Sequence, residues 1–530
     1  MLKVACFLIL FAVAFREVKS ANVFRFANVF GDHMVLQQAP KRAIIWGYGE
    51  VGQEVVVEFS GHMYSSFVTP KKEGERIVGI WTVMLVPTMF GGPYRLGAHS
   101  VVDKKMVRIT LYDVMFGDVW ICSGQSNMEY SVIGTDNGAK AINGSANYDN
   151  IRLFTAENDC QTTPQMELKK IRLPWSRPSP KTVGGPIWKY FSAVCWYYGV
   201  QLYEELKYPI GLIATSWGAT PVEAWSSPDA LAACGINEIV NERKFELKDL
   251  HFNGPSNHSC LWNAQIFPFV KVTIYGSIWY QGESNALTPV SDYNCTFPAM
   301  IDDWRAKWYN STQHNTDPMF PFGFVQLSSV GNDTGSKLYF PSLRWDQTAQ
   351  FGYVPNARQK SVFMAVAMDL GNLNAPLFSS HPTDKTDVGK RLALAGLAVG
   401  YGEDKYYTGP LVSTIKRHPQ PPSLALEISF KSLSEKIEVR SNVGFEVHCE
   451  SGGGWVEAVI FNQGPTSVFI VPRSLDCVAD KVRYAWSNYP CDKLKCAIYS
   501  GDLPCPPFIM DGPFEAAESS LFEKILGKYI

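Results

Sequence analysis

From Gly117 to about Pro410 the chain alternates short apolar runs with amphipathic stretches, and this constrains the fold more than any other feature. The runs Val119–Cys122, Ile210–Thr215, Val272–Trp279, Phe322–Leu327 and Val362–Met368 have the length and composition of buried strands. Between them, Phe191, Val194, Cys195, Tyr198 and Leu202 recur at helical spacing, as do Phe297, Met300, Ile301, Trp304 and Trp308. One such match could be coincidence. A series alternating with strand-like runs predicts an α/β unit on a parallel, doubly wound sheet.

The flanks read differently. With 530 residues the chain exceeds one ordinary domain. Residues 21–116 carry the strand-like runs Glu54–Phe59, Trp81–Val86 and Val107–Val114, punctuated by Gly91-Gly92-Pro93, and predict a small β-sandwich. After the proline-rich "KRHPQPPS" (Lys416–Ser423) strand-like runs return. Residues 411–423 are therefore expected to be a linker and 424–530 a second β-rich domain with a tail.

At the N-terminus Lys3 precedes an apolar run from Val4 to Phe15, and Val18 and Ser20 supply small residues for cleavage before Ala21. That predicts a signal peptide over 1–20 and a secreted or lysosomal destination; the run is too short for a spanning helix. Eleven of the 12 cysteines follow the segment, so disulfides are expected and at least one thiol is left over. Cys477, Cys491, Cys496 and Cys505 suggest a local staple. N-x-S/T sequons at Asn143, Asn257, Asn294, Asn310 and Asn332 are candidate glycosylation sites. A formal net charge of -2 gives no reason to expect nucleic acid as a partner.

In such a sheet ligands bind beyond the carboxyl ends of the strands. The first strand is followed by Ser123-Gly124-Gln125-Ser126-Asn127 and the second by Ser216-Trp217-Gly218. The third is followed by Gln281-Gly282-Glu283-Ser284-Asn285, and the last by Asp369 and then Ser380-His381-Pro382. A hydroxyl, an imidazole and amide donors are the groups that acyl transfer needs.

The blocks "GQSNM", "SWGATP", "WYQGESN" and "SHPTDK" resemble the SGNH/GDSL-type esterases, in the branch that acts on acetylated sialic acids and acetylxylan. The likeness runs over nearly the whole chain, through "FRFANVFGDHMVLQ", "FPFGFVQLSS" and "RYAWSNYPC". It implies an SGNH-hydrolase domain flanked by β-rich domains, with an O-acetylated sialic acid or another acetylated glycan as substrate. It makes Ser126 the nucleophile, His381 the base, and Ser126, Gly218 and Gln281 the oxyanion donors, with no metal or organic cofactor. Many SGNH enzymes carry an Asp three residues before the His; here Phe378 stands there. Asp384, Asp369 or a backbone carbonyl remain to orient the imidazole, and Asn285 is a rival or supporting donor. Gln125, Glu223, Trp225 and Glu283 are candidate substrate contacts.

Each residue has a plainer reading. Ser126 could be a helix N-cap, Gln281 and Glu283 could satisfy strand ends, and Trp225 could belong to the core. His251 and His258 compete with His381. Ala214-Thr215-Ser216-Trp217-Gly218 approximates a nucleophile elbow and makes Ser216 a rival, although Gly218 and Pro221 interrupt the helix an elbow requires. A carbohydrate-binding protein with a silent esterase site is the alternative of another class, and an acetylxylan-type deacetylase the nearer one.

Overall fold

The computed structural model describes residues 24–73, 76–237, 254–287, 292–331, 339–418, 425–450, 452, 454–474 and 476–517. The expected signal peptide, Asn332, His251 and part of the expected linker lie outside the described residues.

One long strand organises the protein. In chain order the central sheet contains β1 (Lys105–Gly124), β2 (Ile151–Ala156), β3 (Ile171–Ser176), β4 (Ile210–Ser216), β5 (Gly276–Tyr280), β6 (Phe322–Gln326) and β7 (Val362–Val366). In space the order is β3-β2-β4-β1-β5-β6-β7. All neighbours are parallel except β2 and β3. The first half of β1 pairs antiparallel with Gly91–Val102 in the N-terminal β unit, and its middle pairs with Val35–Gln37. Its last residues sit between β4 and β5. Val119, Trp120, Ile121 and Cys122 are therefore covered on both faces, which is why that run is continuously apolar.

Helices cover the two faces. α1 (Ser126–Glu129) follows β1 directly; α2 (Ala193–Leu206), α3 (Tyr293–Ser311) and α4 (Lys385–Tyr401) are the long ones. Tyr198 of α2 meets Trp120 edge-on at 5.1 Å, and Gly396 of α4 lies against Phe363. On the opposite face Phe297 of α3 packs on Trp279 and Phe324, and Trp304 on Phe322. The helical spacings read from the sequence fall on buried residues of α2 and α3, except Phe191, which is buried just ahead of α2.

Three local expectations are revised. β2 went unseen because its apolar run contains Arg152, a buried cation whose guanidinium reaches Asp113 at 3.3 Å. The third strand begins at Gly276, because upstream the Ile274 N–H is taken by Thr316 Oγ1 at 3.3 Å. Leu411–Arg417, expected to open a linker, is a strand antiparallel to Leu426–Lys431 in an eight-stranded C-terminal sheet. Its β-branched residues Val412, Thr414 and Ile415 favour that pairing.

Among the described residues five disulfides join Cys122–Cys195, Cys160–Cys260, Cys234–Cys295, Cys449–Cys477 and Cys491–Cys496, leaving Cys505 free and buried. Of the four C-terminal cysteines read as a staple, only Cys491 and Cys496 pair with each other. Burial pushes the Cys505 thiol well above its ordinary range, away from the reactive thiolate. Alkylation in denaturant without reductant, followed by peptide mapping, should label Cys505 alone among the described cysteines. Label at Cys122 or Cys195 would contradict the pairing.

Candidate functional site

The turn after β1 is shaped by its glycine. Gly124 has φ 142°, and a Cβ there would lie 2.2 Å from the Tyr280 carbonyl oxygen of β5. Only glycine combines that conformation with so close an approach. The next amide, Gln125 N–H, donates to the same Tyr280 carbonyl at 2.9 Å, and α1 starts at once. Gln125 takes the N-cap position, so Ser126 is the first helical residue and not the cap.

The Ser126 hydroxyl lies 2.9 Å from His381 Nε2. His381 Nδ1 lies 2.6 Å from the Leu377 carbonyl oxygen. A carbonyl can only accept, so Nδ1 carries the proton and Nε2 is left bare to accept from Ser126 Oγ–H. The loop closes on itself to do this. Phe378, in the left-handed region at φ 64°, turns the chain, and its carbonyl takes the His381 N–H at 3.0 Å. The position at which many SGNH enzymes carry an Asp thus makes a turn, with Phe378 exposed to solvent.

Neither candidate acid makes that contact. Asp384 caps α4 by accepting from Asp387 N–H at 3.1 Å and pairs with Lys493 at 2.8 Å. Asp369 is fully buried in a bidentate pair with Arg391, at 2.6 and 2.9 Å, and accepts from Tyr499 OH at 2.9 Å. Burial holds the His381 imidazole down to about 4, opposed by the Leu377 carbonyl and reinforced by the nearby Lys385. The ring is therefore a neutral base through most of the acidic range.

The expected oxyanion donors are placed unequally. As the first residue of α1, Ser126 has an N–H with no intrahelical acceptor. Gly218 N–H donates to the buried carboxylate of Glu129 at 2.8 Å. Gln281 is fully buried; its amide nitrogen donates to Asn285 Oδ1 (2.8 Å), Thr220 O (3.1 Å) and Gln125 Oε1 (3.2 Å). In this geometry Gly218 and Gln281 spend their donors on holding loops together.

The candidate substrate contacts all have partners within the protein. Gln125 is a brace, its Oε1 accepting from Gly282 and Ser284 N–H at 3.4 and 3.2 Å. Asn285 accepts from Val222 N–H and donates to Glu223 at 3.0 Å each. Trp225 is a core residue, fully buried, with its indole N–H on Thr220 Oγ1 at 2.9 Å. Glu283 accepts from the side-chain amide of Asn127. Ser216 ends β4, and the next helix begins only at Val222. Asn143, Asn294 and Asn310 are exposed and Asn257 is half-buried.

Four neighbours went unnoticed in the sequence. Trp188 stands edge-on to the His381 ring at 5.2 Å, half-exposed, an aromatic wall beside the Ser126–His381 pair. Arg172 lies 3.7 Å from Glu129 and pairs with Glu157. Leu377 supplies the backbone carbonyl that was one of the three expected orienting groups, but which residue would supply it leaves no signature in sequence. Lys385 was legible in principle: it heads an apolar helix, where the helix dipole disfavours a cation.

A family described as "Carbohydrate esterase, sialic acid-specific acetylesterase" matches residues 116–397, and the "Sialate O-acetylesterase C-terminal domain" matches residues 417–512. A curated human protein named sialate O-acetylesterase is 40% identical over 500 residues, covering 93% of both chains. A mouse protein of that name is 38% identical over 525 residues, covering 93% of this chain and 96% of its own. A crystal structure of a carbohydrate acetylesterase from Xanthomonas citri superposes with TM-score 0.73 and 26% identity, covering 92% of this chain and 99% of that one. A chain whose two matched segments carry the Ser126–His381 pair and the β-rich unit behind it belongs to the sialic acid-specific acetylesterase family of carbohydrate esterases.

Proposed function

We propose that this carboxylic ester hydrolase removes O-acetyl groups from sugars, sialic acids foremost, through an acetyl-enzyme on Ser126. The contact of Ser126 Oγ with His381 Nε2, in the tautomer dictated by the Leu377 carbonyl, carries the reading. The names of the relatives and of the Xanthomonas citri neighbour support an acetylated sugar as substrate.

As the serine oxygen attacks the acetyl carbonyl, its proton passes to His381 Nε2. The oxyanion is received by the Ser126 N–H. Gly218 N–H joins it only where Glu129 yields that donor, and Gln281 serves by fixing the loop after β5. Collapse expels the sugar oxygen, which takes the proton from His381. Water, deprotonated by the same nitrogen, then releases acetate and restores the serine. A carbonyl behind the imidazole orients it but adds no negative charge to stabilise the imidazolium, so the base is a weak one suited to acidic surroundings.

In the same reading the α/β unit, 117–410, is an SGNH-type hydrolase domain doubly wound about β1. The chain winds from β1 to one side through β2–β4, then to the other through β5–β7, so the loops after β1, β4 and β5 meet at the switch point. The disulfides, the exposed sequons and the N-terminal segment support a secretory route to a lysosome or the outside. No helix among the described residues is long and apolar enough to cross a membrane.

Ser126→Ala should lower acetate release from O-acetylated sialic acid by about 10⁴-fold or more, while Ser216→Ala stays within about threefold of the parent. The reverse pattern would transfer the reaction to the β4 turn. Running acetylated xylan beside the sialate ester separates the two substrate classes. The kcat/KM profile should fall as pH drops through about 4, where His381 Nε2 gains its proton, and stay level from there toward neutrality. An acid limb at pH 6.5, the ordinary value for imidazole, would show that the ring is not held as described.

A further inference from the structure

We infer that Lys385 is a positioning residue for this reaction: through the side chain of Asn127 it locks the turn bearing Ser126 to the loop bearing His381 and to the loop after β5. The inference rests on the Ser126–His381 reading above.

Lys385 is fully buried at the first position of α4. Its ammonium donates to Asn127 Oδ1 at 2.5 Å and lies over the rings of Tyr130 and Tyr280, 5.1 and 5.3 Å from their centroids. Asn127, also fully buried, directly follows Ser126. Its amide nitrogen donates to the Ser380 carbonyl at 2.8 Å, one residue before His381, and to Glu283 Oε1. One carboxamide therefore joins three loops.

The direction of that amide is what the lysine supplies. An ammonium has donors only, so it fixes Oδ1 toward itself and leaves both amide hydrogens for a carbonyl and a carboxylate. Reversed, the amide would set Oδ1 against two acceptors and its hydrogens against a cation. A neutral side chain at 385 removes this bias, and the Ser126–His381 spacing loses one of its ties. Displacements of about 1 Å in reacting groups cost on the order of 10²-fold in rate.

The lysine also faces charge from several elements. Glu283 comes from the loop after β5; Asp384 precedes α4; Asp136 follows α1 and is bridged with Asp384 by Lys493. Tyr130 and Tyr280 line the same space, and His381 is close enough for the cation to oppose its protonation. Burial draws the ammonium down to about 7, held up by those carboxylates. Loss of the cation should thus raise the His381 titration.

The test compares Lys385→Met, Asn127→Ala, their double variant and Ser126→Ala in the intact chain, assaying acetate release across pH. Each single variant should lose about 10²-fold in kcat with KM within about threefold. The double variant should be little worse than either single, since both break one tie. In Lys385→Met the acid limb of kcat/KM should move to higher pH. A folded Lys385→Met with kcat within threefold of the parent, or with its loss confined to KM, or with an unmoved acid limb, overturns the inference. If Lys385→Met does not fold, Asn127→Ala decides alone, its kcat falling as stated or the inference failing. Turnover persisting in Ser126→Ala would instead overturn the reading on which the inference stands.

Discussion

The site depends on the close approach of two backbones at the end of β1. Gly124 presses against the Tyr280 carbonyl, and no residue with a Cβ fits that gap. Because β1 lies between β4 and β5, three loops emerge beside one another there. Polar side chains that would each be costly to bury then satisfy one another: Gln125 with the β5 loop, Gln281 with Asn285 and Thr220, Asn127 with Ser380 and Glu283. Leaving one buried partner unmatched costs about 1–3 kcal/mol, so the loops hold their register together rather than singly.

The C-terminal unit adds constraints from behind. Tyr499 reaches the Asp369–Arg391 pair, Leu494 N–H donates to the Asp369 carbonyl, and Lys493 bridges Asp136 and Asp384. These contacts fix the two ends of the loop that carries His381. Breaking a buried ion pair from one side costs about 3–5 kcal/mol. Asp369, a candidate to orient the imidazole, instead anchors the loop from which the imidazole projects.

Much of this was legible in the sequence, for physical reasons. The strand-like runs were visible because strands covered on both faces must be apolar throughout. Ser126 and His381 stood out because both follow such runs, and the structure sets them 2.9 Å apart. Other features were hidden. The strand β2 was masked by Arg152, whose partner Asp113 lies 39 positions away. The group on His381 Nδ1 is a carbonyl, which every residue owns. Gly218 and Gln281 offered donors in sequence, but whether a donor is spent depends on partners such as Glu129 and Thr220 that only the fold brings near. Trp225 could read in sequence as a pocket or a core residue, and its packing against Trp279 places it in the core.

The central claim is that the acetyl group passes through Ser126. Acid quenching during turnover of an acetylated sialic acid, followed by peptide mass analysis, tests it most directly. The account predicts one acetyl group on the peptide containing Ser126, absent from the Ser126→Ala variant. An acetyl group on Ser216, or the same adduct in Ser126→Ala, would contradict it.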